Sequence, residues 1–404
     1  MPQPDPEQRA AKVRFAALAG GPRLTQLPPL SVYVHLPWCL RKCPYCDFNS
    51  HQVPAEGFDE AGYLAALEAD LDASVARVWG RKVQTIFIGG GTPSLFSPDG
   101  IDRLLASLRA RLAVAPGAEI TLEANPGTFE RGRFAGFRAA GVNRLSLGIQ
   151  SFDDGLLAAI GRVHDGAQAR AAAAAAAELF ETFNLDLMYA LPGQTPAQLE
   201  ADLATALGFG PPHLSYYHLT LEPNTLFARF PPPLPDDDQA AAMQDRIESR
   251  LAAAGYDHYE VSAYARPGHR ARHNLNYWTF GDYLGLGAGA HGKLSFHDRI
   301  VRDARWRQPR RYVEAALAGR PVELERELTA ADLPFEFMLN ALRLTAGVDA
   351  GLFEAHTGLS LAVIAAPLGT AVARGLLDPA PARLMATPRG LAFLNDLQAL
   401  FLPS

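Results

Sequence analysis

Tyr33-Val34-His35-Leu36-Pro37-Trp38-Cys39-Leu40-Arg41-Lys42-Cys43-Pro44-Tyr45-Cys46-Asp47-Phe48 contains every cysteine of a 404-residue chain, spaced C-x3-C-x2-C. Thiolates hold the irons of an iron–sulfur cubane, and four irons need four ligands. A loop that supplies three leaves one iron open, and an open iron is a place for chemistry. The bland alternatives fit less well. A disulfide strands the third thiol, and a zinc site needs His35 or His51 to complete a Cys3His set. Cys39, Cys43 and Cys46 are therefore the expected metal ligands.

Outward from this loop, the chain has the composition of an ordinary globular protein, with 48% hydrophobic and 20% charged residues. Lys+Arg of 37 against Asp+Glu of 43 gives a net charge of −6, which argues against a general nucleic-acid binder. Basic stretches at Arg266–Arg272 and Arg299–Arg311 are expected to be solvated faces. The leader from Met1 to Leu30 has scattered Arg and Pro and no unbroken apolar run, so neither a signal peptide nor a membrane anchor is expected. A cytoplasmic location follows as an expectation. Residues 1–28 are expected to be a poorly ordered leader, 29–292 a core with its closing segment, and 293–404 a C-terminal domain.

Short β-branched and aromatic runs alternate with helical patterns, the signature of repeated βα units around a parallel sheet. Strands are predicted at Ser31–His35, Gln84–Ile88, Glu119–Glu123, Arg144–Ile149, Asn184–Met188 and His213–Leu219. Helices are predicted near Tyr63–Val78, Ile101–Leu112, Arg131–Ala140, Ala167–Leu179, Pro196–Leu207 and Gln239–Ala254. The pattern stops at six units, so the fold class is α/β with a partial (β/α)6 TIM-like barrel. Each strand runs apolar and ends in a chemically loaded residue, the place where such barrels gather their sites. Those ends carry the cysteine loop, Gly89-Gly90-Gly91-Thr92-Pro93, Glu123, Gln150 and Asp186, with Tyr217 and His218 on the sixth strand. The glycine run lets backbone pass close to a ligand and is expected to offer N–H groups to it. Glu123, Gln150, Arg162 and Asp186 are expected to bond a ligand's amine, hydroxyl and carboxylate groups.

The cysteine loop and glycine-rich second strand end resemble the radical S-adenosylmethionine (SAM) superfamily. Within it, YVHLPWCLRKCPYCDFNSH, GGGTPS, LEANPG, RLSLGIQSFDD, GRVH, DLMYALPGQT and YYHLTLEPNT are similar to the oxygen-independent coproporphyrinogen III dehydrogenases and to their HemW-type haem-chaperone relatives. The resemblance runs from about Pro29 to the C-terminus. It implies a [4Fe–4S] cluster on Cys39, Cys43 and Cys46, with SAM chelating the open iron and cleaved to a 5′-deoxyadenosyl radical. It places Tyr33, Gly90, Gly91, Thr92, Glu123, Gln150, Arg162 and Asp186 around SAM.

Two departures separate the branches. The dehydrogenases carry a further cysteine where this chain has Phe48, and a longer arm before the loop than the 38 residues found here. His273-Asn274-Leu275-Asn276-Tyr277-Trp278 matches the H-N-x-x-Y-W motif of the haem-chaperone branch. The expected function is thus a haem chaperone that binds the cluster, SAM and haem and passes haem to respiratory or storage haemoproteins. A SAM-dependent coproporphyrinogen III dehydrogenase is the alternative. His273 is a candidate haem ligand, Tyr277 and Trp278 are flat apolar faces for the macrocycle, and Arg270 and Arg272 are candidate propionate partners. The expected partners are haem and haem-accepting proteins, not nucleic acid, with room for a homodimer and for peripheral membrane contact through partners. The segment Tyr283–His291 is expected to close the barrel. Beyond it, helical patterns at Phe335–Leu344, Ala350–Thr357 and Leu361–Gly375 resemble a small winged-helix-like domain without a basic recognition helix.

Overall fold

The predicted strand segments become six parallel strands because each is apolar on both faces, as a sheet covered by helices requires. They are β1 (Leu30–Leu36), β2 (Lys82–Gly90), β3 (Ala113–Ala124), β4 (Arg144–Gln150), β5 (Thr182–Tyr189) and β6 (His213–His218). This computed structural model describes residues 22–127 and 130–403. Most of the expected leader, residues 1–21, lies outside the described residues. The rest of it is packed rather than poorly ordered: Leu24 is buried, and its N–H donates to the His297 carbonyl at 3.0 Å.

Five of the intervening helices begin on polar caps. The first, α1 (Glu60–Ser74), is capped by Asp59, and α2 (Pro98–Arg111) by Ser97, with Pro98 at a position whose N–H is not needed. Then come α3 (Glu130–Ala140), α4 (Gly166–Leu179), α5 (Pro196–Gly208) and α6 (Asp237–Ala253). Asp165 with Gln168, Thr195 with Gln198, and Asp236 with Gln239 close reciprocal capping boxes on the last three.

Six further strands extend the sheet: β7 (Asp257–Glu260), β8 (Ala263–Ala265), β9 (Asp282–Leu286), β10 (His291–Ser295), β11 (Ile300–Arg305) and β12 (Val322–Glu327). The order is β12-β11-β10-β9-β1-β2-β3-β4-β5-β6-β8-β7. The segment expected to close the barrel instead supplies β9, a seventh parallel strand beside β1, and the antiparallel β10–β12 continue outward from it. The barrel stays partial, with β12 and β7 at its two edges. Gly287 has φ +102°, and a Cβ there would lie 2.3 Å from the His35 carbonyl oxygen. Only glycine lets the chain leave β9 so close to the end of β1.

A second core joins Leu24, Tyr259 and Phe280 to Phe337, Phe353, Ile364 and Leu397 of the C-terminal region. That region contains α7 (Leu333–Ala341), a helix of equal length at Ala365–Ala373, shorter helices, and one two-residue strand pair, Val348–Asp349 with Arg383–Leu384, in keeping with a mostly helical, winged-helix-like unit. The expected division at 292/293 falls inside β10, and the sheet runs on to Glu327.

The basic run Arg299–Arg311 is not simply a solvated face. Arg305 is wholly buried, and its guanidinium donates to Asp303 Oδ1 at 2.6 Å, Asp70 Oδ1 at 3.1 Å and Ser74 Oγ at 3.0 Å. Asp70 also accepts from the Tyr312 hydroxyl at 2.9 Å and the Gly287 N–H at 3.2 Å. The network ties α1 to β11 and to the turn after β9, so the added strands are locked to the barrel by charge as well as by backbone pairing. Removing one partner of a buried pair leaves the other desolvated and uncompensated. Asp70→Ala is expected to cost about 3–5 kcal/mol of stability, read as a lower denaturant midpoint at unchanged slope. An unshifted midpoint would count against the network as a fastening.

Candidate functional site

The cysteine loop is fixed by backbone. Gly91 N–H donates to the Leu36 carbonyl at 2.8 Å and Thr92 N–H to the Trp38 carbonyl at 2.7 Å. On the other side, His51 N–H donates to Pro37 and Val53 N–H to Cys39. A Cβ on Gly91 would sit 2.5 Å from the Trp38 oxygen, and one on Gly90 (φ +118°) would strike the His35 ring at 2.7 Å. The glycine run therefore allows close approach, as expected. Three of its N–H groups are not open to a ligand, however: those of Gly91 and Thr92 are spent on the cysteine loop, and that of Gly90 donates to Glu123 Oε2 at 3.1 Å.

Each sulfur has a polar neighbour. Thr92 Oγ1 donates to Cys39 Sγ at 3.5 Å, Arg162 Nη1 to Cys43 Sγ at 3.7 Å, and Ser50 Oγ lies 3.7 Å from Cys46 Sγ. Arg162 is held by the Asn125 side chain at 2.6 Å and the Gly148 carbonyl at 2.7 Å, while its buried Nε has no partner. A fixed guanidinium with a donor to spare, aimed at partly exposed thiols, suits an anionic metal–sulfur group. Among the described residues no three His, Cys, Asp or Glu side chains gather around a single ion position, the arrangement zinc needs. In a cubane each thiolate takes its own iron corner. His35, one of the zinc reading's two candidate fourth ligands beside His51, is committed elsewhere. Its Nε2 faces the Asn49 carbonyl at 2.9 Å and so carries the proton, leaving Nδ1 to accept from the Tyr33 hydroxyl at 2.9 Å.

Tyr33, His35, Gly90 and Glu123 line one wall of a cavity of about 580 Å³. Loss of water, then the nearby Asp186 carboxylate, pushes the Glu123 carboxyl up from 4.5 to about 7, against the pull of the Gly90 N–H. Desolvation also raises Asp186, opposed by bonds from Asn184 and Ser146. Gln150 ends β4 at φ +67°, a left-handed conformation unusual for a side-chain-bearing residue, beside a register shift in the ladder. The structure thus brings Tyr33, Gly90, Gly91, Thr92, Glu123, Gln150, Arg162 and Asp186 to the carboxyl end of the sheet with the cysteines. Asn125, which joins Arg162 to Thr92, was missed as a site residue. Its place directly after β3 was the available signal.

His273 is not part of this gathering. It opens a short helix, Arg272–Trp278, at the opposite end of the barrel. Its Nδ1 lies 2.8 Å from Thr85 Oγ1 and its Nε2 2.9 Å from the Tyr277 hydroxyl, while Glu119 accepts its backbone N–H. The side chain is buried, and desolvation followed by the charge of Arg144 lowers its pKa to about 3. Both nitrogens are occupied, so the expected haem ligand is a core histidine here. Arg270 and Arg272 also lie at that end, the first on Asp257 and the second on the Gly117 carbonyl, away from the cavity. Tyr277 and Trp278 of the same motif do line the cavity, with Phe48 and Asn49 of the cysteine loop facing them.

A partial parallel barrel with a three-cysteine loop at the carboxyl end of its first strand defines a radical SAM protein. The Radical SAM superfamily model matches residues 33–206, and the HemN C-terminal domain model matches 328–393. The coproporphyrinogen III oxidase HemN of Escherichia coli superposes with a TM-score of 0.79 at 25% identity, covering 96% of this chain and 93% of that one. The haem chaperone HemW of E. coli is 49% identical over 94% of this chain and its own full length, and that of Bacillus subtilis is 35% identical over 92% and 99%. The chain belongs to the HemW family of haem chaperones.

A raised carboxyl pKa has a stability signature. Folding favours the protonated form of Glu123, so its contribution is complete below 4.5 and is lost as pH rises to about 7. Glu123→Gln stays neutral throughout. Its melting temperature relative to wild type is expected to be higher at pH 8 than at pH 5. An equal difference at both pH values would remove the assignment.

Proposed function

We propose that this chain carries a [4Fe–4S] cluster on Cys39, Cys43 and Cys46, holds SAM at the cluster's open iron, and binds haem for delivery to haem-accepting proteins. The observation that carries the reading is one cavity shared by the two chemistries: Asp47, Phe48 and Asn49 border it from the cysteine loop, and Tyr277 and Trp278 from the HNLNYW segment. With cluster and SAM bound, a reduced cluster supplies the electron for carbon–sulfur cleavage. The chain's own side chains bind and orient. Arg162 sets positive charge against the Cys43 thiolate, and Thr92 bonds Cys39. With SAM bound, Glu123 would accept from its ammonium and give up its own proton to water, while Tyr33, Gln150 and Asp186 would bond the remaining polar groups. Gly90 and Gly91 contribute bare backbone surface.

Phe48 favours the chaperone over the porphyrinogen dehydrogenase. It is 64% exposed and puts an apolar ring at the cavity edge, where the dehydrogenases carry a thiol. As domain organisation we propose a sheet unit running to Glu327 and a C-terminal unit from Leu328 that walls the cavity through Leu339 and Asn340. Among the described residues no single helix is long and apolar enough to cross a membrane. We place the chain in the cytoplasm, where three free thiols stay available to iron. Respiratory or storage haemoproteins as acceptors, a homodimer and peripheral membrane contact through partners belong to the same proposal.

Anaerobically reconstituted protein is expected to contain about four irons and four sulfides per chain, to lose them in Cys43→Ala, and to bind hemin one to one with a Soret shift. It is expected to leave coproporphyrinogen III unchanged in the presence of SAM and reductant. Material without iron and sulfide, or without hemin binding, would sink the reading.

A further inference from the structure

The chaperone reading needs a haem ligand, and His273 has no free nitrogen. The cavity that Tyr277 and Trp278 line contains two histidines, His35 and His291. His35 is buried and bonded at both ring nitrogens. His291, the first residue of β10, is exposed into the cavity mouth, and among the described residues its ring makes no hydrogen bond. We propose that His291 is the axial haem ligand of this chain, with the macrocycle lying against Tyr277, Trp278 and Phe48 and a propionate paired with Arg307.

The surroundings fit that occupant in three ways. A volume of about 580 Å³ falls within the range of sites for ligands of drug size. Partial burial and the positive charges of Arg302 and Arg307 lower the His291 pKa, which keeps its imidazole neutral and able to donate a lone pair to iron. Among the basic residues lining the cavity, Lys293 is consumed by Asp282 at 2.9 Å, and Arg302 by Tyr283 and Glu336, each at 2.5 Å. Arg307 is exposed and forms no ion pair among the described residues, which leaves it for a carboxylate.

This assignment rests on the haem-chaperone reading, and one titration separates the two. Hemin is added to cluster-loaded wild type, His291→Ala and His273→Ala, with Soret position, dissociation constant, iron and sulfide content and melting temperature recorded for each. His291→Ala is expected to bind hemin at least tenfold more weakly with a displaced Soret band, while keeping its cluster and melting temperature. Added imidazole is expected to restore the wild-type band. His273→Ala is expected to melt lower and to keep the wild-type band. If His291→Ala binds hemin like wild type, or imidazole fails to restore a displaced band, the ligand assignment is wrong. If wild type itself binds no hemin, the chaperone reading falls and the assignment with it.

Discussion

Two backbone hydrogen bonds, from Gly91 to Leu36 and from Thr92 to Trp38, set the position of everything around the cysteines. They form only because the chain at Gly91 comes so near Pro37 and Trp38 that no side chain fits. The loop leaving β1 is thereby stitched on one side to the end of β2 and on the other to His51 and Val53. Cys39 is held between the two seams, and Cys43 and Cys46 project from a short bridge whose Cys46 N–H donates back to the Cys43 carbonyl. Rigidity of this kind costs little at the moment a metal group binds, because the ordering was done on folding.

Charge is distributed around that seam in a consistent way. A permanent cation, Arg162, sits on the sulfur side, and a carboxyl that desolvation holds near half-ionised, Glu123, faces the cavity. An anionic metal–sulfur group meets a countercharge in place, whereas a cationic amine lowers the pKa of the acid it meets, which then gives up its proton to water. The two sides therefore differ in what they select before any ligand is present.

Much of this was readable from residue order alone. Five of the six parallel strands were placed within two residues at each end because each is a mostly apolar run, while β3 was read six residues late because Pro116 and Gly117 interrupt its beginning. The helices α1 and α6 were read two or three residues late at the start, Tyr63 for Glu60 and Gln239 for Asp237, because the apolar pattern begins after a capped polar first turn. What escaped were β7–β12, short and partly polar strands whose pairing is decided by neighbours rather than by their own pattern. The site was legible where strand ends mark position, as with Glu123, Gln150 and Asp186. It was misread where a motif was taken as a unit: in HNLNYW the histidine points into the barrel floor, and only the two aromatic residues reach the cavity. His291 gave no signal beyond lying among glycines, since its value comes from β10 doubling back beside β9. Arg305 was read as surface because a run of charges does not show which members turn inward.

The short helix Arg272–Trp278 spans both halves of the molecule: His273 is anchored in the barrel floor through Thr85, and Trp278 packs with the second core. The Trp278 indole lies under the Arg343 guanidinium, 4.4 Å from its centre, and Arg343 is in turn paired with Glu260 of β7. Any ligand that rests on Trp278 therefore meets a helix anchored at one end in the sheet unit and at the other in the second core.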